Sequence, residues 1–174
     1  MEVVEKAVRG SMEFVAANEK SEVISSVCPS PARWYPPPVE VYKLNSDAAV
    51  FKSGQIGMGG VIRDNVGEVV MATSKRMDGM MDADVAEALS ARHGLQIALE
   101  AGYSALILEV DCLKLFNSLK EGKIESSFFS HVRRQGNAVA HTLAKMCKEM
   151  EGLKVWLEDP PLEIATAVMV DLQE

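Results

Sequence analysis

From residue 39 to 150 the apolar positions sort into short extended runs and helical stripes. Residues 41–50 and 58–63 read as extended segments, Asp64-Asn65-Val66-Gly67 supplies a turn, and residues 68–74 form a third extended run. Their close spacing predicts an antiparallel hairpin. From Asp82 the pattern becomes helical as far as about Ala101, with Gly102 as the stop. ALILEV, residues 105–110, is a short apolar run suited to a buried strand. A short helix over 112–120, a strand FFSHV and a last helix opened by Asn137 as its cap complete the order βββαβαβα.

Strands that alternate with helices after an initial meander predict an α/β fold. Its mixed sheet has three antiparallel strands followed by two parallel ones, with helices on its faces. Outside this domain, Val4, Val8, Met12 and Val15 form a sparse helical stripe, and CPSPARWYPPPVE reads as a proline-stiffened linker. The chain therefore divides into residues 1–38 (helix and linker), 39–150 (the domain) and 151–174 (an acidic tail).

Composition narrows the class. The 174 residues are 48% hydrophobic, enough for one sizeable core. Cys28, Cys112 and Cys147 are far apart and lack paired metal-ligand spacing, which reads as reduced thiols in an intracellular protein, with nucleus and cytoplasm both open. Glu2 and Glu5 stand where a secretory signal needs basic residues, and no apolar run approaches a membrane span.

The net charge of −7 argues against a polyanionic partner until its distribution is considered. Residues 39–150 hold 13 basic and 14 acidic side chains, whereas the segment from 151 holds one basic and six acidic. Residues 128–148 carry Arg133, Arg134, Lys145 and Lys148 with no acid between them. That patch suits phosphates, or equally a solvated helix face.

Three carboxylates stand out. Asp47 lies late in the first strand, where an unpaired charge costs several kcal/mol of hydration, about 3–5 in measured cases. Asp111 directly follows ALILEV, at the carboxyl end where ligands gather in such sheets. If the two strands are parallel neighbours, both carboxylates open at one edge. Glu87 shares its helix face with Ala91, Gly94, Ala98 and Ala101, small residues that let a helix approach a sheet closely. Glu109 points to the same side as Asp111, as an accessory group or a solvated strand-end residue.

One carboxylate alone is more often a cap or a satisfied surface group; three converging ones repel unless a cation sits among them. Oxygen ligands with few histidines favour Mg²⁺ or Mn²⁺ over Zn²⁺. Beside a basic patch, they suggest phosphodiester chemistry with a pair of metal ions.

The stretches RWYPPPVEVYKLNSDAA, GMGGVIRDNVGEVV, AEALSARHGLQIALEAG, LILEVDCLKLFNSL and HVRRQGNAVAHTLAK together resemble the ribonuclease H family. The likeness is narrower to its plant, retroelement reverse-transcriptase-related domains, and runs from about Arg33 to Asp159. The resemblance implies a five-stranded sheet with flanking helices. It also implies a carboxylate-bound metal pair that cuts the RNA strand of an RNA–DNA hybrid. Separately, a monomer is expected. By motif, Asp47, Glu87 and Asp111 match the family's first three carboxylates.

Three departures accompany the likeness. The fourth acidic position falls on His141, which can bind metal or orient water but brings no negative charge; weaker Mg²⁺ binding and a relative preference for Mn²⁺ follow. Ala48-Ala49 stands where relatives often carry Gly-Ser, leaving backbone amides to meet a 2′-hydroxyl. A family helix is missing before FFSHV, which predicts exposed apolar surface on one sheet face, in a working variant or a shortened gene model.

Arg133, Arg134 and Asn137 are the expected nucleic-acid contacts beside Ala48. His93 and His131 read as structural, and the glycines of GQIGMGG as sites of bulging or close backbone approach. Two rivals to the nuclease remain at this level: a catalytically weak or dead retroelement-derived domain that binds nucleic acid or a protein partner, and a product that does not fold stably.

Overall fold

A computed structural model describes residues 30–173 apart from 123, 124 and 126. The stripe of Val4, Val8, Met12 and Val15 lies outside the described residues, as does Cys28.

The elements are β1 (Tyr42–Phe51), β2 (Gln55–Arg63), β3 (Val69–Asp78), α1 (Ala83–Glu100), β4 (Leu106–Val110), α2 (Leu113–Glu121), β5 (Phe129–His131), α3 (Ala138–Met146), β6 (Leu153–Leu157) and α4 (Ala165–Leu172). They form one sheet of order β5-β4-β1-β2-β3-β6. β1, β2 and β3 are antiparallel neighbours, and β4 and β5 add in parallel beside β1. This is the mixed α/β sheet expected from the sequence, with one strand more.

The sixth strand comes from the segment expected as an acidic tail. β6 pairs antiparallel with β3, Thr73 opposite Val155, and the alternation of Leu153, Val155 and Leu157 with Lys154 and Trp156 is a strand pattern that the local excess of acid obscured. Trp156 turns toward the cluster of Val61, Ala72, Val139 and Leu143 on the α3 face. Leu153, Val155 and Leu157 remain exposed.

Two cores sandwich the sheet. Leu44, Ile62, Met71, Leu108 and Val110 meet Ala91, Leu95 and Ala98 of α1 on one face. Gly94 allows that approach, since a Cβ there would stand 3.2 Å from Leu44. On the other face α3 lies almost on the backbone of β2: a Cβ on Gly59 would fall inside the carbonyl of Ala140, and one on Gly57 inside that of Ala144. Close approach is thus what the GQIGMGG glycines provide.

The shortened connection between β4 and β5 still covers the sheet. Leu119 of α2 is buried together with Phe128 and Phe129, and the Phe116 ring meets that of Phe129 edge-on at 5.4 Å. Exposed apolar surface on α2 is confined to Leu113 at its start.

Candidate active site

β1 and β4 pair in parallel as far as Ser46 and Val110, so Asp47 and Asp111 are the next residues on adjacent strands. Both carboxylates therefore leave the sheet at one end. Glu87 arrives from the first turns of α1 on the opposite face, and Ser90 sets its position: the Ser90 hydroxyl donates to the Asp47 carbonyl at 2.7 Å. One oxygen each of Asp47, Glu87 and Asp111 lies within 4.8 Å of the others. The three carboxylates singled out from the sequence are brought together.

Polar residues on the α3 face hold the two aspartates in place. The Asn137 amide donates to the Ser46 carbonyl and to Asp111 Oδ1, both at 3.0 Å. Its oxygen accepts from Asn45 Nδ2 at 3.2 Å, and the same Asn45 amide donates to Glu109 Oε2 at 2.9 Å. Glu109 also accepts from Lys43 Nζ and from the Ser130 hydroxyl, each at 2.9 Å.

Two expectations change here. Glu109 is not a solvated strand-end residue but is 2% exposed, because Lys43 and Asn45 satisfy its carboxylate inside the sheet. Asn137 holds the cap position of α3 yet makes no side-chain cap bond. Its amide is committed to the strands, and at 1% exposure it orients Asp111.

The network runs on beneath the site. Asn45 Oδ1 accepts from the Trp34 indole at 2.9 Å and from Arg63 Nη2 at 3.2 Å. Trp34, in the segment read as a linker, is 3% exposed and lies 3.7 Å from the Arg63 guanidinium. Arg63 in turn pairs with Asp171 of α4 at 2.7 Å. Sequence reasoning missed Trp34, Asn45, Arg63 and Asp171; the one available signal was the row of polar residues in a strand whose neighbours are apolar.

Burial first, and mutual repulsion second, set the electrostatics of the carboxylates. Burial, then the charges of Asp47 and Asp111, push the Glu87 carboxyl up to about 9. Burial and Asp47 likewise raise Asp111, against the opposing pull of Asn137 and Arg134. Asp47 is fully buried, and its Oδ1 has no hydrogen-bond partner. An orphaned carboxylate oxygen facing two further carboxylates fits a hard divalent cation.

Asp47 Oδ2 is engaged instead. His141 Nδ1 lies 2.6 Å from it and 2.8 Å from Arg134 Nη2. One ring nitrogen cannot donate to the carboxylate and accept from the guanidinium together, so the triangle holds one of these bonds at a time. Arg134 also reaches Asp111 Oδ2 at 3.4 Å and Asp47 Oδ2 at 4.0 Å. His141 and Arg134 thus join the carboxylates.

The remaining expected residues lie around this centre. Arg133 is exposed, and its backbone N–H donates to the Pro31 carbonyl at 2.9 Å. Ala48 lies beyond the last β1–β4 pair and packs on the Ile56, Met58 and Ala86 cluster. His131 sits between the Ser30 hydroxyl at 2.6 Å and the Asp111 carbonyl at 3.2 Å. His93 is next to the Thr73 hydroxyl at 3.4 Å. Cys112 and Cys147 are free thiols, the second buried against α3's neighbours. No helix among the described residues is long and apolar enough to cross a membrane.

A family model described as reverse transcriptase-like matches residues 45–128, the stretch that carries Asp47, Glu87 and Asp111. No curated protein matches the chain. Among solved structures, the chain is similar to the N-terminal RNase H domain of a Mycobacterium tuberculosis protein, determined as a fusion with maltose-binding protein. The TM-score is 0.52 at 17% identity, over 62% of this chain and 93% of that one. At such identity the likeness speaks for the fold alone, which is ribonuclease H-like, and the reverse transcriptase-like model matches just under half of the chain.

Proposed function

We propose that the domain is a divalent-metal-dependent endonuclease that hydrolyses the RNA strand of RNA–DNA hybrids. The observation that carries this reading is the buried, unpartnered Oδ1 of Asp47, set among carboxylates that lie within 4.8 Å of one another. Asp47, Glu87 and Asp111 would hold Mg²⁺ or Mn²⁺, and such ions supply an activated water and charge stabilisation for the leaving oxygen. Asn137 fixes the Asp111 carboxylate through its Oδ1, leaving Oδ2 turned outward toward Arg134. Ser90 fixes the depth at which Glu87 meets the aspartates.

His141 stands where a fourth carboxylate is expected from the resemblance. Its imidazole brings a nitrogen rather than a negative oxygen to Asp47, which favours Mn²⁺ over Mg²⁺. Arg133, exposed at the rim, is the expected contact to the phosphate backbone, and the backbone at Ala48 the expected contact to a 2′-hydroxyl. The protein would work as an intracellular monomer.

The test is cleavage of an end-labelled hybrid by the purified chain, in Mg²⁺ and in Mn²⁺, beside Asp47→Asn. Cutting of the RNA strand alone, lost in the variant and stronger in Mn²⁺, is the expected result. Folded protein that leaves the hybrid uncut at high excess in both ions would end the reading.

The second reading is a catalytically weak or dead domain that binds nucleic acid. It is favoured by Arg134, whose guanidinium already faces both aspartates, and by the imidazole of His141, in place of a carboxylate, beside them. Hybrid binding that persists in EDTA without any cleavage would select it.

A further inference from the structure

We propose that Arg134 is a tethered counter-cation which competes with the divalent ion for the carboxylates and is drawn off by the phosphate of an incoming strand. The inference deepens the metal-binding reading above and rests on it.

Arg134 lies in the tight helical turn Arg134–Asn137 that leads into α3. Its side chain is 60% exposed, while those of Asp47 and Asp111 are 0% and 5% exposed. A solvated arm is therefore laid across the mouth of a buried acidic cluster. Among the described residues no other lysine or arginine comes within 4.0 Å of either aspartate. Lys114, at the start of α2, is occupied by Asp84 at 2.5 Å.

The contacts are long for a guanidinium, 3.4 Å to Asp111 Oδ2 and 4.0 Å to Asp47 Oδ2, and they do not form the paired fork that makes arginine–carboxylate bonds strong. They also leave Asp47 Oδ1 unpartnered. Arg134 therefore compensates part of the charge while gripping the aspartates only loosely; its one short contact, 2.8 Å, is to His141 Nδ1. Such a group is displaceable.

A divalent ion held by the same oxygens would stand against this guanidinium at close range, so each cation weakens the other's binding. A phosphate changes the balance. It offers Arg134 the bidentate acceptor that the aspartates do not, and the exposed side chain is free to turn outward to it. Ion binding and phosphate binding thereby favour each other through one residue, and the coupling is reciprocal.

Calorimetric titration of Mn²⁺ into the full chain tests this, with Arg134→Gln, Arg134→Lys and an Asp47→Asn control. Each is repeated with a hybrid whose RNA strand is 2′-O-methylated so that nothing is cut. Without hybrid, Arg134→Gln should bind Mn²⁺ on the order of tenfold more tightly than the wild type, and Arg134→Lys should stay near the wild type. Saturating hybrid should close most of that gap.

Equal affinities for wild type and Arg134→Gln would overturn the inference and leave the metal site standing. So would a gap that hybrid does not narrow, or a lysine variant that behaves like glutamine. Absence of Asp47-dependent Mn²⁺ binding in every protein would overturn both the inference and the metal reading.

Discussion

The contacts of Asp47 within the chain, to His141 and Arg134 through Oδ2, satisfy its carboxylate only in part. Its carboxylate is fully buried, one oxygen has no hydrogen bond, and two other carboxylates face it. In EDTA, Asp47→Asn should stabilise the domain by about 1 kcal/mol, because it removes a repelling charge, and should abolish stabilisation by Mn²⁺. Thermal unfolding with and without the ion measures both, and a variant less stable than the wild type in EDTA would mean that the charge is already compensated.

His93 gives a separate, pH-dependent signal. Burial, then Lys75, lower its imidazole to about 4 in the folded state, against the ordinary 6.5 of an unfolded chain. The unfolded state thus takes up the proton first. The His93 contribution is present above pH 6.5 and is lost as pH falls toward 4; discounted for solvent screening it is about 1–2 kcal/mol. Urea unfolding between pH 7 and 4.5 should show His93→Gln with a flatter stability profile than the wild type.

The three carboxylates were legible in the sequence because position alone marks them, at strand ends and on a face of small residues. Asn45, Arg63 and Glu109 were not, since a buried polar residue in a strand is written with the same letters as a solvent-facing one. Only the partner distinguishes them.

Among the elements, the contact between β2 and α3 is the tightest. A methyl group on Gly59 would meet the backbone of Ala140 and Ala144 and the Leu143 side chain, none of which can step aside alone. Gly59→Ala should cost about 3 kcal/mol in urea unfolding. It should also weaken hybrid binding, because α3 carries His141 and follows the turn that bears Arg134. Gly152→Ala is the contrast: no atom lies within 4 Å of the added group, and the strain of φ +70° alone costs about 1 kcal/mol. Equal losses at the two sites would remove the packing argument. Helix and strand order could be read from periodicity, and the turn at Asp64–Gly67 from its residues. The sixth strand could not, because its alternation spans five residues inside an acidic stretch.

At the scale of the whole molecule, Arg63 and Asp171 tie α4 to the sheet across most of the chain. Burial lowers the Arg63 guanidinium and raises the Asp171 carboxyl, so their attraction offsets only part of the cost of taking them out of water. Asp171→Ala, which strands the arginine, should lose about 3–5 kcal/mol, whereas Arg63→Met with Asp171→Leu should recover most of it. Chemical denaturation of the two variants separates these outcomes, and a harmless Asp171→Ala would show that α4 is no part of the folded unit. Such a pair is invisible to local pattern, since nothing near Arg63 announces a carboxylate so far along the chain.

The glycines of β2 bear on how the protein can change over generations. Gly57 and Gly59 face Ala144 and Ala140, residues on the same short helix as His141. A lineage that enlarged any of these four positions would shift the helix and the histidine with it. Selection for packing alone would therefore keep the geometry of the site intact whether or not its chemistry were under selection, so a well-preserved site in a descendant would not by itself be evidence of catalysis.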